Sequence, residues 1–383
     1  MHVLVLPSWY VNSFNPLSGV FFKEQSEALA SINLKVGVLA VPGISVKNII
    51  KKRKFPKIFP SLKSVNGVET FIIEWPAFPK MKSINDFFYF NIGKFLFRKY
   101  ISKYGLPDVI HLHSFIRGDL AIWIYHKYKI PYVVTEHSTG FARKLYVNKE
   151  LMFAKKVYVN AKKRIAVSQP FKMLLINQFQ LDFDCIPNIV DTDFFSEKMT
   201  HNKEGLTFLN IGFLDKKKNQ KMLIDAFWSV FSGDKNTKLV IAGSGSEFSA
   251  LTEQINVLGA SQQVTLYGIA DRKQVKDLLH SSDVFVLASE FETFGVVLIE
   301  AMSCGLPVVS TRCGGPEDIV VDNTLGQLCD ISKEDIADGM IVVSEKLLEN
   351  EFDTSQIRLF AVNNFSSKVI AQKLSLVYVQ VCM

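Results

Sequence analysis

Two glutamates stand out in the stretch ASEFETFGVVLIEAMSCGLPVVS, residues 288–310. Glu292 lies in a polar lead-in. Glu300 follows after seven intervening residues, inside an apolar helical pattern between Ile299 and Ala301. An ionised carboxylate is costly to bury unless something pairs with it, so this spacing asks for a partner. A lysine cluster, Lys216, Lys217 and Lys218, stands between a strand pattern and a helix pattern in GFLDKKKNQKMLIDAF (212–227). There it would meet an anion, or it is simply a solvated run of charge. Glycines punctuate other strand ends. Ser18-Gly19 opens the helix GVFFKEQSEALA, Gly243-Ser244-Gly245 follows KLVIAG, and Gly314-Gly315-Pro316 follows LPVVST. Glycine lets backbone N–H groups approach a phosphate at a helix N-terminus or in a nest, although any one of these is equally an ordinary turn residue. GSGSEF carries Phe248 where a dinucleotide fingerprint needs its third glycine, so that motif fails.

Metal chemistry is weakly signalled. His111, His113 and His137 end strands, but their spacing offers no HxxxH or HExxH geometry and no acidic cluster joins them. Asp182-Phe183-Asp184 and Asp191-Thr192-Asp193 match a DxD pattern, which serves as readily for turns and caps. No metal ligands and no cofactor are expected. Neither a GxSxG elbow, a Walker loop nor a kinase motif set is present.

These residues need elements to position them. Strands are expected at 2–7, 35–41, 68–74, 108–113, 131–137, 164–168 and 184–188. A second series follows at 207–213, 238–243, 263–268, 283–289 and 306–311. Near-continuous Val/Ile/Leu runs alternating with helical patterns predict parallel sheets covered on both faces. The 383 residues suggest two domains. The series pauses at 188–206, read as the linker. The expected architecture is α/β, with two doubly wound domains. One is an acceptor-side domain over 1–190, joined by a C-terminal helix at about 365–383 that packs back on it. The other is a nucleotide-binding domain over 191–364. Ligands would sit at the carboxyl ends of the strands, with a cleft between the domains as the default site.

Composition narrows the class. Hydrophobic residues make up 48% and charged residues 21%, which is globular. No apolar run reaches the roughly 18 residues that span a bilayer. MHVLVLPSWY reads as a buried strand and not a signal peptide. Five scattered cysteines without CxxC suggest reduced, buried thiols and a cytoplasmic setting. Residues 1–190 hold 27 Lys/Arg against 11 Asp/Glu, a balance of +16, whereas the rest holds 17 against 26, a balance of −9. The basic half expects an anion: nucleic acid, anionic lipid or a phosphorylated substrate.

The stretch EFETFGVVLIEAMSCGLPVVSTRCGGPEDIV resembles the signature of the family-4 retaining glycosyltransferases of the GT-B fold. That family spaces two glutamates by seven residues, with FG after the first and EA at the second. Here these are Glu292, Phe294-Gly295 and Glu300-Ala301. LPSWYVNSFNPLSGVFFKEQSEAL, PYVVTEHS, RIAVSQPF, IPNIVDTDFF, NIGFLDKKKNQKMLIDAF, LVIAGSGSE and VTLYG are similar to the family's successive segments along nearly the whole chain. The resemblance implies that Glu300 grips both ribose hydroxyls of a nucleotide-sugar donor, which suits a carboxylate's acceptor capacity. It implies that Glu292, with Thr293 and the N–H groups of Phe294, Gly295 and Val296, meets the donor sugar or its phosphates, aided by the helix dipole. Ser18, Gly19, Gly243 and Gly245 would line the substrate site, Lys218 would hold the diphosphate, and His137 would hydrogen-bond the sugar.

Two departures from the family pattern stand out. The arginine usual five residues before Lys218 is replaced by Phe213, unless Lys216 or Lys217 substitutes for it. The usual Asn-Gly of the linker is Asn188-Ile189. The implied activity is metal-independent hexosyl transfer onto a saccharide or lipid-linked saccharide of bacterial surface-polysaccharide assembly, such as lipopolysaccharide. Nucleic acid is not an expected partner. A GT-B epimerase or hydrolase is the alternative. A lipid- or nucleic-acid-binding protein is a remoter one, because it leaves the paired glutamates unexplained. Basic and aromatic residues interleave at 46–63 and 84–104, which predicts peripheral contact with an anionic membrane on its inner face. Equally, the second stretch could be a helix that covers the sheet and the first a solvated loop.

Overall fold

The apolar runs pair as parallel sheets, and the central strands, such as His2–Pro7 and Val109–His113, are buried throughout. A computed structural model describes residues 1–197 and 205–383. The chain divides into two units. One comprises 1–167, 172–189 and 367–383, and the other 168–171 and 190–366. Of the expected linker, residues 198–204 lie outside the described residues.

The first unit holds an eight-stranded sheet. Its order is Asp184–Cys185, Lys163–Ala166, Tyr132–Glu136, Val109–His113, His2–Pro7, Lys35–Ala40, Val68–Ile72 and Ser61–Val65. All neighbours are parallel except the last pair, Ser61–Val65 on Val68–Ile72. Val3, Val36, Val109, Val133 and Ile165 form the core on one face, closed by Ile370, Leu374 and Tyr378 of the helix Ser367–Cys382. The helix Lys82–Tyr104 buries Tyr89, Leu96, Phe97 and Tyr100, so one of its faces covers the sheet. Lys94 and Lys99 lie over the rings of Phe90 and Phe95 on the same helix.

The second unit holds six strands, all parallel: Val264–Gly268, Lys238–Ala242, Thr207–Ile211, Val284–Leu287, Val308–Thr311 and Gly326–Cys329. Numbered along the chain, that is the order 3-2-1-4-5-6 of a dinucleotide-binding sheet, with its switch point between Thr207–Ile211 and Val284–Leu287. The core packs Phe208, Leu239, Val284 and Val309 under Leu223, Phe227 and Met340.

Four strands escaped the pattern reading. Gly43–Ser45 and Trp75–Ala77 form a two-stranded ribbon, Ser61–Val65 is the antiparallel edge, and Gly326–Cys329 closes the second sheet. They are short, and Ser61–Val65 is exposed along most of its length, so no apolar run marks them. The expectation of uniformly buried thiols also fails. None of the five cysteines forms a disulfide, but only Cys304 and Cys329 are buried, and Cys382 is exposed.

Gly37 illustrates how tightly the first unit is packed. A Cβ there would lie 2.1 Å from the hydroxyl of Tyr100, which is fully buried and sits 2.6 Å from His2 Nε2. Gly37→Ala should cost about 1–3 kcal/mol through overpacking, read as a lower urea midpoint at unchanged slope. A loss inside about 0.5 kcal/mol, the range of an ordinary surface change, would mean that Tyr100 moves aside freely.

Candidate active site

Lys218 and Glu292 meet at the switch point of the second sheet. Lys218 ends a 3₁₀ turn, Lys216–Lys218, that follows strand Thr207–Ile211. Its N–H donates to Asp215 O at 2.9 Å. Asn219, left-handed at φ 56°, then caps the helix Gln220–Phe231. Glu292 follows strand Val284–Leu287. Its carboxylate accepts from Lys218 Nζ in an ion pair whose side chains are 14% and 12% exposed. Ser289, fully buried, donates its hydroxyl to Glu292 Oε1 at 2.8 Å. Thr311 Oγ1 in turn donates to Ser289 O at 2.6 Å. Nothing in the sequence pattern marked Ser289 or Thr311. Each is a small hydroxyl at a strand end, a pattern shared with any turn.

The backbone around Glu292 is clamped. Its N–H donates to Cys313 O at 3.0 Å and its carbonyl accepts from Gly315 N–H at 2.9 Å. A Cβ on Gly315 would lie 2.2 Å from the Phe294 backbone, so glycine is required for this approach. The Gly314-Gly315-Pro316 nest is therefore corrected. Gly314 N–H is taken by the Glu317 carboxylate at 3.0 Å, Gly315 N–H by Glu292, and proline has none to offer. Gly243 and Gly245 let two loops approach closely. A Cβ at either would stand within 2.0 Å of Gly212 O or Leu214 O, and Gly243 N–H already donates to Gly268 O at 2.7 Å. Lys217 O accepts from Glu290 N–H at 2.8 Å, which ties the lysine turn to the glutamate loop.

Gly295, at φ 109°, opens the helix Val296–Ser303. The first N–H groups of that helix have no intrahelical acceptor and carry the positive end of its dipole. Phe294 is buried and packs edge-on against Phe365, so its side chain serves the core. Thr293 O accepts from Ser168 Oγ at 2.7 Å. Glu300 is half-buried one turn into the helix, four residues after Val296 and so on the same face. Phe213 is exposed beside Leu214, and Lys216 is the most exposed of the three lysines.

In the first unit His111, His113 and His137 come together at the strand ends. The rings of His111 and His113 are 4.1 Å apart, and His113 Nδ1 lies 3.0 Å from His137 Nε2. His111 lies 2.6 Å from Tyr378 OH and 2.8 Å from Thr135 Oγ1. Burial pushes His111 and His137 down to about 3, and burial first, then the neighbouring histidines, holds His113 well below its usual value. Glu136, fully buried, positions the turn. Its carboxylate accepts from the N–H groups of Phe115, His137 and Ser138 and from Tyr158 OH. Gly19, left-handed at φ 67°, caps the helix Val20–Ser31 with no room for a Cβ, because Trp9 O would be 2.7 Å away. Ser18 precedes it, half-buried. The DxD pairs behave as structural carboxylates. Asp184 pairs with Lys163 at 3.1 Å, and Asp191 Oδ1 accepts from Phe194 N–H. Among the described residues no group of three His, Cys, Asp or Glu could hold a metal ion.

In a 3-2-1-4-5-6 parallel sheet, nucleotide ligands generally bind at the switch point, where here a lysine, two carboxylates and a helix N-terminus stand. Comparison with known proteins makes the class specific. The model described as "Glycosyltransferase Family 4" matches residues 53–194, and "Glycosyl transferases group 1" matches 191–356. The chain belongs to this family of GT-B glycosyltransferases. It is 28% identical over 211 residues to N-acetyl-alpha-D-glucosaminyl L-malate synthase of Bacillus anthracis, across 52% of this chain and 54% of that protein. The chain thus spans about half the length of that relative. Its fold is that of sucrose-phosphate synthase from Thermosynechococcus elongatus, with TM-score 0.79, 18% identity and 99% of both chains covered. It is also that of Anabaena HepE in complex with UDP, with TM-score 0.74, 18% identity, and 99% and 100% covered.

The histidine cluster makes the first unit acid-sensitive. Neutral in the fold, these imidazoles titrate near 6.5 once unfolded. Stability is therefore fully present above about pH 6.5 and is lost as pH falls towards about 3. At pH 5 each buried imidazole should cost up to about 2 kcal/mol. Urea unfolding at pH 7.5 and 5 should show a steep loss in the wild type and a shallower one in His111→Gln. Parallel losses would remove the histidines as its cause.

Proposed function

We propose that this chain moves a sugar from a nucleotide-diphosphate sugar to an acceptor hydroxyl, retaining the anomeric configuration and taking no metal ion. The observation that carries this reading is the Lys218–Glu292 pair beside the Gly295-capped helix, at the switch point where a diphosphate ligand sits. In the proposed reaction the bond from the anomeric carbon to the diphosphate oxygen breaks. The acceptor oxygen bonds that carbon on the same face, and its proton passes to the departing diphosphate. Lys218 and the helix N-terminus offset the charge that develops on the leaving group. Glu292 and Glu300 accept hydrogen bonds from donor hydroxyls. His137, kept neutral by burial, hydrogen-bonds the sugar without adding a cation. UDP in the structure of Anabaena HepE supports a UDP-sugar as the first donor to try, with GDP-sugars next.

The acceptor we propose is a lipid-linked saccharide, reached at an anionic membrane surface. No helix among the described residues is long and apolar enough to cross a membrane. Support comes from the helix Val46–Lys52 and the segment after it, where Lys51 and Arg53 are exposed beside exposed Ile50 and Phe55. Lys52 and Lys54 do another job. Their ammonium groups donate to Phe14 O at 2.8 Å and Ser13 O at 2.6 Å, holding the first loop.

Two tests follow. Thermal melts should rise with a UDP- or GDP-sugar. Glu300→Gln should weaken donor binding by about tenfold, as expected for a lost hydrogen bond to a charged group. Lys218→Ala and Glu292→Gln should each lower turnover by about a hundredfold. Full rates in all three would refute the assignment. The product's mass separates transfer from epimerisation or hydrolysis, and the same assay in EDTA checks metal independence. The second test is sedimentation with phosphatidylglycerol vesicles at low salt. Lys51→Glu with Arg53→Glu should release the protein, each basic residue being worth about 1 kcal/mol. No binding by the wild type would favour a soluble acceptor.

A further inference from the structure

The segment 46–63 carries seven basic and no acidic residues. It also leaves large apolar groups in water. Phe55 is 88% and Phe59 79% exposed, and among the described residues neither stacks on another ring. A folded chain rarely leaves several such residues side by side without a ligand. The backbone between them is nevertheless fixed. Lys57 N–H donates to Glu74 Oε2 and Lys57 O accepts from Glu74 N–H, both at 2.9 Å. Glu74 is buried and accepts twice more, from Ser13 N–H and Ser13 Oγ at 2.6 Å. Its carboxyl sits below the usual range. Burial is the largest influence and opposes its charge, and the hydrogen bonds outweigh it. Lys57 is thus pinned, with Phe55 on one side and Ile58 and Phe59 on the other held outward on rigid backbone.

Two cavities open beside this anchor. The first, of about 810 Å³, is an apolar trough walled by Val46, Ile49, Phe55, Ile58, Phe59 and Pro76. The second, of about 320 Å³, has a mixed wall in which Ser13, Lys23, Lys63 and Glu74 stand beside Val11, Val20 and Ile72. Lys57 and Ser61 line both, so the trough runs into the lysine pocket. Of the nearby ammonium groups, Lys23 is claimed by Glu27 at 3.2 Å, and Lys52 and Lys54 by backbone carbonyls. Lys57 and Lys63 are exposed and hold no ion pair among the described residues. The trough thus ends beside two lysines, Lys63 and Lys57, the second also facing the Glu74 carboxylate; an apolar wall that ends on ammonium groups is complementary to a chain that ends in a phosphate.

We propose that this is the binding site for one amphiphilic phosphate, its phosphate on Lys57 and Lys63 and its hydrocarbon chain along Phe55, Ile58 and Phe59. The pocket also takes Asn12 and Pro16 from the loop that ends at Gly19, so the group attached to the phosphate would emerge at the carboxyl ends of the first sheet. The proposal rests on the reading of a lipid-borne acceptor and gives that acceptor a chemical requirement, a phosphate beside the chain.

The test is calorimetric titration of the intact protein with decyl phosphate below its micelle concentration, beside decanol and inorganic phosphate. Decyl phosphate should bind at least about tenfold more tightly than either, the difference that one charge-assisted contact supplies. Lys57→Ala with Lys63→Ala should remove that advantage and leave decanol binding unchanged. Phe59→Ser should weaken decyl phosphate and decanol together. Equal affinity for decyl phosphate and decanol overturns the proposal. So does binding to phosphatidylglycerol vesicles with none to monomeric decyl phosphate, which would make the patch a membrane-surface contact only. Thermal melts with the nucleotide sugar, run on the same proteins, keep the two readings apart. A retained nucleotide shift shows the variants folded and leaves a failed titration to count against the groove alone. A wild type that binds decyl phosphate but no nucleotide sugar sinks the transferase reading and leaves the groove standing.

Discussion

A lysine and a glutamate from loops 74 residues apart share one crevice, and the second unit is arranged around their meeting. A charged pair removed from most of its water holds only if geometry and further hydrogen bonds compensate for desolvation. Here the compensation comes from Ser289, and Ser289 is fixed by Thr311 on the next strand. The glycines follow from the same constraint. Gly243, Gly245 and Gly315 let neighbouring loops approach to distances that no side chain permits, so the loops brace one another and the pair is presented on a rigid rim. The N–H groups of Gly243 and Gly315 are spent on protein carbonyls, while Lys218 and the start of the helix Val296–Ser303 stand at the same strand ends.

The first unit solves a different problem. Three imidazoles are packed at its strand ends, and burial keeps them uncharged. The Glu136 carboxylate in that turn accepts from four donors. The result is a buried polar cluster of low charge at the carboxyl ends of the strands. Around the edge of the same sheet the balance reverses. The segment 46–63 carries seven basic and no acidic residues, and two of its lysines hold the loop that leads to Gly19. That loop is therefore coupled mechanically to the segment we assign to lipid.

Sequence alone determined the class of fold. Val/Ile/Leu runs such as HVLVLP and KLVIAG are legible because a strand buried on both faces must be apolar throughout, and the restart after residue 206 is legible because the second sheet repeats that rule. The pair Glu292 and Glu300 was legible too, since a carboxylate in an apolar helix has few explanations. What only the tertiary structure decided is which group answers which. Lys218 closes on Glu292 because the strand order 3-2-1-4 makes neighbours of strands that the chain separates with two others. Ser289, Glu136 and Glu74 were invisible for the same reason. A hydroxyl or carboxylate at a strand end looks alike in every turn, and only its partners, brought in from distant segments, give it a role. The trough at 46–63 shows the limit most plainly. Basic and aromatic residues could be read in order, but whether they lie flat, pack inward or frame a groove depends on Glu74, a single buried carboxylate that pins Lys57 across the fold.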